Sequence, residues 1–210
     1  DDIGGGSKIL LVGAGGYATI NDAIAAANAG DTILVAPGTY NENVLLNKSV
    51  TLMGAAPGVI IQGTFETDNG IVGDVNTFLS TAVAYTGAAG TGITVSADGV
   101  TISNITVDGF LNAISANNAG GAVSGLTLND VTMQDSVFGF IKQDTTTLNG
   151  MTMNGGLIQD SYIGVYFYND NPTDADAIDT TIDGTTFQDI TQKGIYVEPL
   201  QGNTLFDTLI

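Results

Sequence analysis

Four stretches of the chain, Ile102–Ala116, Leu128–Lys142, Met153–Phe167 and Ile182–Val197, fall into one register. Each reads apolar, small polar, a short break, apolar, polar, then Asp or Gly. The columns are Ile102/Leu128/Met153/Ile182, Val107/Met133/Ile158/Phe187, Asp108/Gln134/Gln159/Gln188 and Gly109/Asp135/Asp160/Asp189. Successive members of the last column lie 26, 25 and 29 residues apart. A repeat of that length, built from short β-type runs with turn residues between them, is one rung of a solenoid, which buries its apolar face only by stacking on its neighbours. The expected fold is all-β: a parallel β-helix running through residues 1–210 as one elongated domain.

The first organised element is nevertheless a helix. Thr19 can cap the run from Ile20 to Asn28, Asp22 sits at the third helical position beside the positive end of the dipole, and Gly30 supplies a left-handed stop. Residues 17–30 thus form a short amino-terminal capping α-helix with Ile20, Ala23, Ile24 and Ala27 as its apolar stripe. Strands follow at Thr32–Val35, Val44–Leu46, Val50–Met53 and Val59–Ile61, separated by Pro37-Gly38, Asn47-Lys48 and Pro57-Gly58 turns. Besides the column residues, Ile33, Leu34, Val44, Leu46, Leu52 and Ile60 are assigned to the core. Residues 65–92 and 169–179 read as excursions from the rungs.

The segment Gly15-Gly16-Tyr17-Ala18-Thr19-Ile20-Asn21-Asp22-Ala23-Ile24, then Asp31 to Val44 with Gly38-Thr39-Tyr40-Asn41-Glu42 inside it, then Val50-Thr51-Leu52-Met53-Gly54, resembles the opening of the right-handed parallel β-helix families. It is most similar to pectin methylesterases and their pectin-lyase-like relatives, in which the helix plugs the amino-terminal end of the solenoid and Gly-x-Tyr-x-Glu follows the first strand. The resemblance covers about the first quarter of the chain and implies a right-handed solenoid. It does not carry the catalytic pattern. A pectin methylesterase uses an aspartate in Gln-Asp-Thr, a later one in Asp-Phe-Ile-Phe-Gly, and an arginine; here Gln143-Asp144-Thr145 follows Asp135-Ser136-Val137-Phe138-Gly139, and arginine is absent. Family lyases that use an arginine or lysine base, and epimerases with a histidine motif, are equally unmatched.

Charge narrows the partners. The net charge is −18, with four lysines, no arginine and no histidine, a surface that repels nucleic acid and anionic membranes. No cysteine is present, which removes disulfides and thiolate chemistry. No apolar run reaches the roughly 18 residues that span a bilayer. An acidic, cysteine-free chain rich in Gly, Asn and Thr suggests a secreted or cell-surface bacterial protein. The start, Asp1-Asp2-Ile3-Gly4-Gly5-Gly6, lacks the features of a signal peptide and reads as a mature end or an excised segment.

Two constellations stand out. Asp135, Asp160 and Asp189 share one column, and rungs lie about 4.8 Å apart, so their carboxylates are candidate calcium ligands, as are Asp170, Asp174 and Asp176 in the second excursion. The other reading is that each Asp serves its own turn. Strand alternation puts Ile163, Val165 and Phe167 inside and Tyr162, Tyr166 and Tyr168 outside, and the register places Ile141, Tyr166 and Tyr196 in one outward ladder. Such tyrosines suit a carbohydrate or a protein partner, or pack on one another. Lys142 sits at the end of the inward column beside Phe167 and Val197.

Two functions are consistent with these features. One is a non-catalytic structural or adhesive segment of a bacterial cell-surface, filament or secreted protein, with polysaccharide or surface proteins as partners and calcium as its one candidate cofactor. The other is a carbohydrate-active enzyme of the pectin-lyase-like group, using a carboxylate pair. The final run, Asn203 to Ile210, begins another rung without a visible polar cap, which leads us to expect further rungs of a larger chain, or a second subunit in a homo-oligomer or filament.

Overall fold

The computed structural model describes residues 6–65, 90–143, 145–168, 178–198 and 206–209, the last stretch by its backbone. The chain enters through β1 (Ile9–Val12) and α1 (Ile20–Ala26), then winds in successive coils. The first coil holds β2 (Thr32–Val35), β3 (Gly38–Tyr40) and β4 (Val44–Leu46). The second holds β5 (Thr51–Gly54), β6 (Val59–Gln62) and β7 (Thr91–Val95), and the third β8 (Thr101–Ser103), β9 (Thr106–Asp108) and β10 (Asn112–Ala116). Next come β11 (Ala122–Ser124), β12 (Thr127–Asn129) and β13 (Thr132–Lys142), then β14 (Thr147–Asn154) and β15 (Leu157–Phe167). The last are β16 (Ile178–Asp183), β17 (Thr186–Val197) and β18 (Phe206–Leu209).

All pairings between these strands are parallel. One sheet runs β1-β2-β5-β8-β12-β14-β16-β18. The second is bent: β3, β6 and β9 lead to the first part of β13, whereas β4, β7 and β10 lead to its last part. From β13 onward, single long strands cross that bend. The result is a three-faced parallel β-helix, as the repeat predicts.

The bends have a common cause. Three columns of residues occupy the left-handed region: Gly99/Gly125/Gly150 at φ 64°, 64° and 65°, Asn104/Asp130/Gly155/Gly184 at 54°, 50°, 64° and 66°, and Gly109/Asp135/Asp160/Asp189 at 73°, 48°, 48° and 49°. Only Gly, and to a lesser degree Asn and Asp, visit that region readily, so these residue types mark the corners of the coil.

The interior is stacked aliphatic ladders. Ile33, Leu52, Ile102 and Leu128 are in register and solvent-free, as are Val107, Met133 and Ile158. Each such burial stabilises by roughly 1.5–3 kcal/mol. Two core assignments fail on strand parity: Leu34 and Ile60 are only half-buried, because Ile33 with Val35, and Val59 with Ile61, take the inward positions. Phe187 packs on the core from a partly buried position. One inward position cannot carry a side chain. A Cβ on Gly164 would lie 2.5 Å from the Gly194 carbonyl oxygen and 2.7 Å from Phe187, and Gly139 is confined in the same way by Gly164.

The helix closes the amino-terminal end, burying Ile20, Ala23 and Ile24, with the Thr19 side chain accepting from Asp22 N–H at 3.0 Å. Its end differs from expectation. The last helical residue is Ala26 and Ala27 is extended, so Gly30, at φ 87°, instead turns the chain into β2. Lys48 supplies the stop: its Nζ donates to the Ile24, Ala25 and Ala27 carbonyls at 2.9, 2.9 and 2.8 Å. Glu42 holds the other end, accepting from Ile20 and Asn21 N–H at 2.8 and 3.1 Å. The Gly-x-Tyr-x-Glu element therefore does structural work, with Tyr40 donating to the Ala36 carbonyl at 2.8 Å. Buried Asp31 accepts from Asn28 N–H and Lys8 N–H, both at 2.7 Å, and those two bonds hold its carboxyl below the usual range against the opposing effect of burial.

Candidate functional site

The corner column resets strand alternation along the third face. After the turns at Asp135 and Asp160, one outward column reads Thr91, Asn112, Phe138, Ile163 and Lys193, and a second reads Leu45, Thr94, Ser115, Ile141, Tyr166 and Tyr196. Ile163 therefore leaves the interior expected for it and joins Leu111, Val137, Phe138, Ile141 and Tyr166 in a second apolar cluster, apart from the main core. Val165 and Phe167 point inward as expected.

Tyr166 is the centre of that cluster. Its ring stacks on Tyr196 at 5.2 Å and 4°, leans on Phe138 at 5.1 Å and 31°, and meets Tyr168 at 5.7 Å and 42°. The Lys193 ammonium sits 3.4 Å above the Tyr196 ring. Tyr166 Oη donates to Glu198 Oε1 at 2.7 Å, and burial first, then that carboxylate, push the phenol well above its ordinary range. The register places Tyr166 and Tyr196 outside the solenoid as the sequence implies, but Tyr166 is only 1% exposed. At Tyr166 the reading in which the rings pack on one another holds, and within this cluster Tyr162, Tyr168 and Tyr196 are half-buried.

Asp135, Asp160 and Asp189 do share a column, each at a left-handed corner equivalent to Gly109. Among the described residues no group of three or more acidic side chains is placed to hold a metal ion. Asp170, Asp174 and Asp176 lie outside the described residues, as does Asp144 of the Gln-Asp-Thr segment. In the Asp135–Gly139 segment the corner is followed by buried Ser136, Val137, Phe138 and Gly139.

The other two faces carry polar ladders. Thr32, Thr51, Thr101, Thr127, Thr152 and Thr181 form one unbroken outward column. Gln134 Nε2 donates to Asp108 at 3.1 Å, Gln159 Nε2 to Gln134 at 3.3 Å, and Asn154 Nδ2 to Asn129 at 2.9 Å. Sequence reasoning missed Glu198, the partner of Tyr166, and the depth of Lys142. The latter is solvent-free in the inward column between Ala116 and Phe167, with Nζ donating to the Tyr168 carbonyl at 3.2 Å. Its place beside Phe167 and Val197 in the inward column was the available signal.

No protein-family model and no curated protein matches the chain. Solved structures do. Pectin methylesterase from Aspergillus niger, in a penultimately deglycosylated form with an asparagine-linked N-acetylglucosamine stub, aligns at TM-score 0.56 and 16% identity, over 99% of this chain and 82% of that one. Its deglycosylated form aligns at 0.53 and 17%, over 98% and 85%. No helix among the described residues is long and apolar enough to cross a membrane. The chain thus has the right-handed parallel β-helix fold, the fold that these pectin methylesterase structures have.

Proposed function

We propose that this chain is a non-catalytic structural or adhesive β-helix of an extracellular or cell-surface protein. The supporting observation is where its carboxylates are used. Asp31 and Glu42 bind backbone N–H groups at the helix, Asp98 accepts from Ser124 N–H at 2.7 Å, Asp108 receives an amide ladder, Asp130, Asp135, Asp160 and Asp189 make corners, and Glu198 receives Tyr166. Acid and base catalysis needs such groups turned toward a substrate. These hold the coils instead, as suits a rod. The acidic, cysteine-free surface supports an extracellular setting, and calcium at the acidic corners or at Asp170 to Asp176 belongs to the same reading. Tyr162, Tyr168 and Tyr196 are its candidate contacts for a polysaccharide or surface protein.

A second reading, a carbohydrate-active enzyme, draws on the fold shared with the two pectin methylesterase structures. One experiment separates them. The purified chain is incubated with a panel of neutral and anionic polysaccharides, and methanol, reducing ends and unsaturated sugars are measured beside co-sedimentation. Binding without product supports the first reading, and sustained product release replaces it with the second.

A further inference from the structure

The left-handed corner between the first two faces carries Asn104, whose side chain the solenoid leaves unused. Asn104, at φ 54°, is exposed, and its amide makes no hydrogen bond among the described residues, whereas Asn129 and Asn154 beside it are joined to each other. Asn104-Ile105-Thr106 is an Asn-x-Thr sequence, the acceptor pattern for N-linked glycosylation, and Thr106 is half-buried on the next strand. An independent feature lies beside it: a cleft of about 430 Å³ with Asn104 on its wall. The small-residue loop Ala55-Ala56-Pro57-Gly58 lines it together with Thr106, Thr132 and Asp130. The volume lies within the range of small-ligand sites. Short side chains, hydroxyls and a carboxylate match the hydroxyl and amide groups of a neutral sugar ring, and they disfavour an anion.

We propose that Asn104 is an N-glycan acceptor and that the cleft seats the sugar attached to it. The inference rests on the extracellular part of the reading above. In the transfer, Asn104 Nδ2 forms a bond to the anomeric carbon of a lipid-diphosphate-linked oligosaccharide. The bond from that carbon to the diphosphate oxygen breaks, Nδ2 gives up one proton, and the lipid diphosphate leaves. Acceptance precedes folding, because Thr106 then enters the β9 ladder with Thr132. A second acceptor pattern, Asn47-Lys48-Ser49, is exposed at Asn47 and does not line this cleft, and so serves as the internal comparison.

The test is to export the chain from a host that glycosylates secreted proteins and measure intact mass with and without a glycan-releasing amidase. The expected result is a glycan increment that disappears in Asn104→Asp and Thr106→Ala and persists in Thr106→Ser. Asp suits the left-handed corner, as Asp130 shows, so loss of the increment is not loss of the fold. After trimming to one sugar, amide exchange at Ala55, Ala56 and Gly58 should slow several-fold relative to Asn104→Asp. A secreted, folded chain without the increment, or with one removed only by Asn47→Gln, overturns the acceptor. Unchanged exchange overturns the seating. The extracellular reading is tested apart from both, since export is imposed by the host.

Discussion

Glu42 and Lys48 grip opposite ends of the same helix from either side of one three-residue strand. Glu42 takes the first N–H groups of α1 and Lys48 the last carbonyls, so each charge meets the end of the dipole that attracts it. The cap is therefore fastened to β4 and not merely laid over the open end of the core. Glu42→Gln and Lys48→Met should each cost about 1–2 kcal/mol, read as a lower urea midpoint with unchanged slope. An unchanged midpoint for Lys48→Met would show that helix packing alone closes the solenoid.

The corner column makes a prediction that depends on side-chain type and not on charge. Asp160→Ala should be about 1–2 kcal/mol less stable than Asp160→Gly, because both lose the carboxylate and only Ala resists the left-handed conformation. Corner geometry alone predicts the same melting temperature in chelator and in millimolar calcium. A calcium-dependent rise that Asp135→Asn and Asp160→Asn abolish would instead give the column a metal-binding role.

Gly164→Ala should cost about 1–3 kcal/mol by overpacking against the Gly194 carbonyl and Phe187. Chemical denaturation measures it. Gly125→Ala, in open space, tests the conformational cost of the left-handed region by itself, and a smaller loss at Gly164 than at Gly125 would contradict the close-approach account.

Asp31 should make stability sensitive to acid. Its folded value is depressed, so its contribution is fully present above the ordinary carboxylate range, near pH 4, and is lost as the pH falls through the folded value. Asp31→Asn should be less stable than the parent at pH 7 and converge with it as the pH falls through the depressed folded value, in denaturation series from neutral to acid pH. Parallel curves would remove the assignment.

Tyr166 should stay protonated well above the ordinary range of a phenol. Ultraviolet titration is expected to leave its fraction of tyrosinate absent above pH 10 until the fold is lost, since burial and Glu198 both favour the neutral phenol. Tyr166→Phe keeps the stack but removes the hydrogen bond to Glu198, and Tyr166→Ala should cost about 3–5 kcal/mol. Normal titration of every tyrosine in the native chain would refute this.

The sequence by itself determined the coil. Residues recurring about every 26 positions must stack in register, and the Gly, Asn and Asp columns mark where the backbone turns left-handed, since few other residues enter that region. Tertiary structure decided which side of each strand is covered. Leu34 and Val35 are equally apolar, and only the pairing with β5 sends Val35 inward. Tyr166 alternates outward by any count, yet Phe138, Tyr168 and Tyr196, from strands up to 58 residues apart in the sequence, bury it. Glu198 looks like an ordinary surface charge until the coils bring Tyr166 to it, and Lys142, at the end of an inward column, meets the Tyr168 carbonyl only in the folded coil. Periodicity reports the spacing of rungs along one chain, whereas burial depends on contacts between rungs, and those exist only once the solenoid has closed.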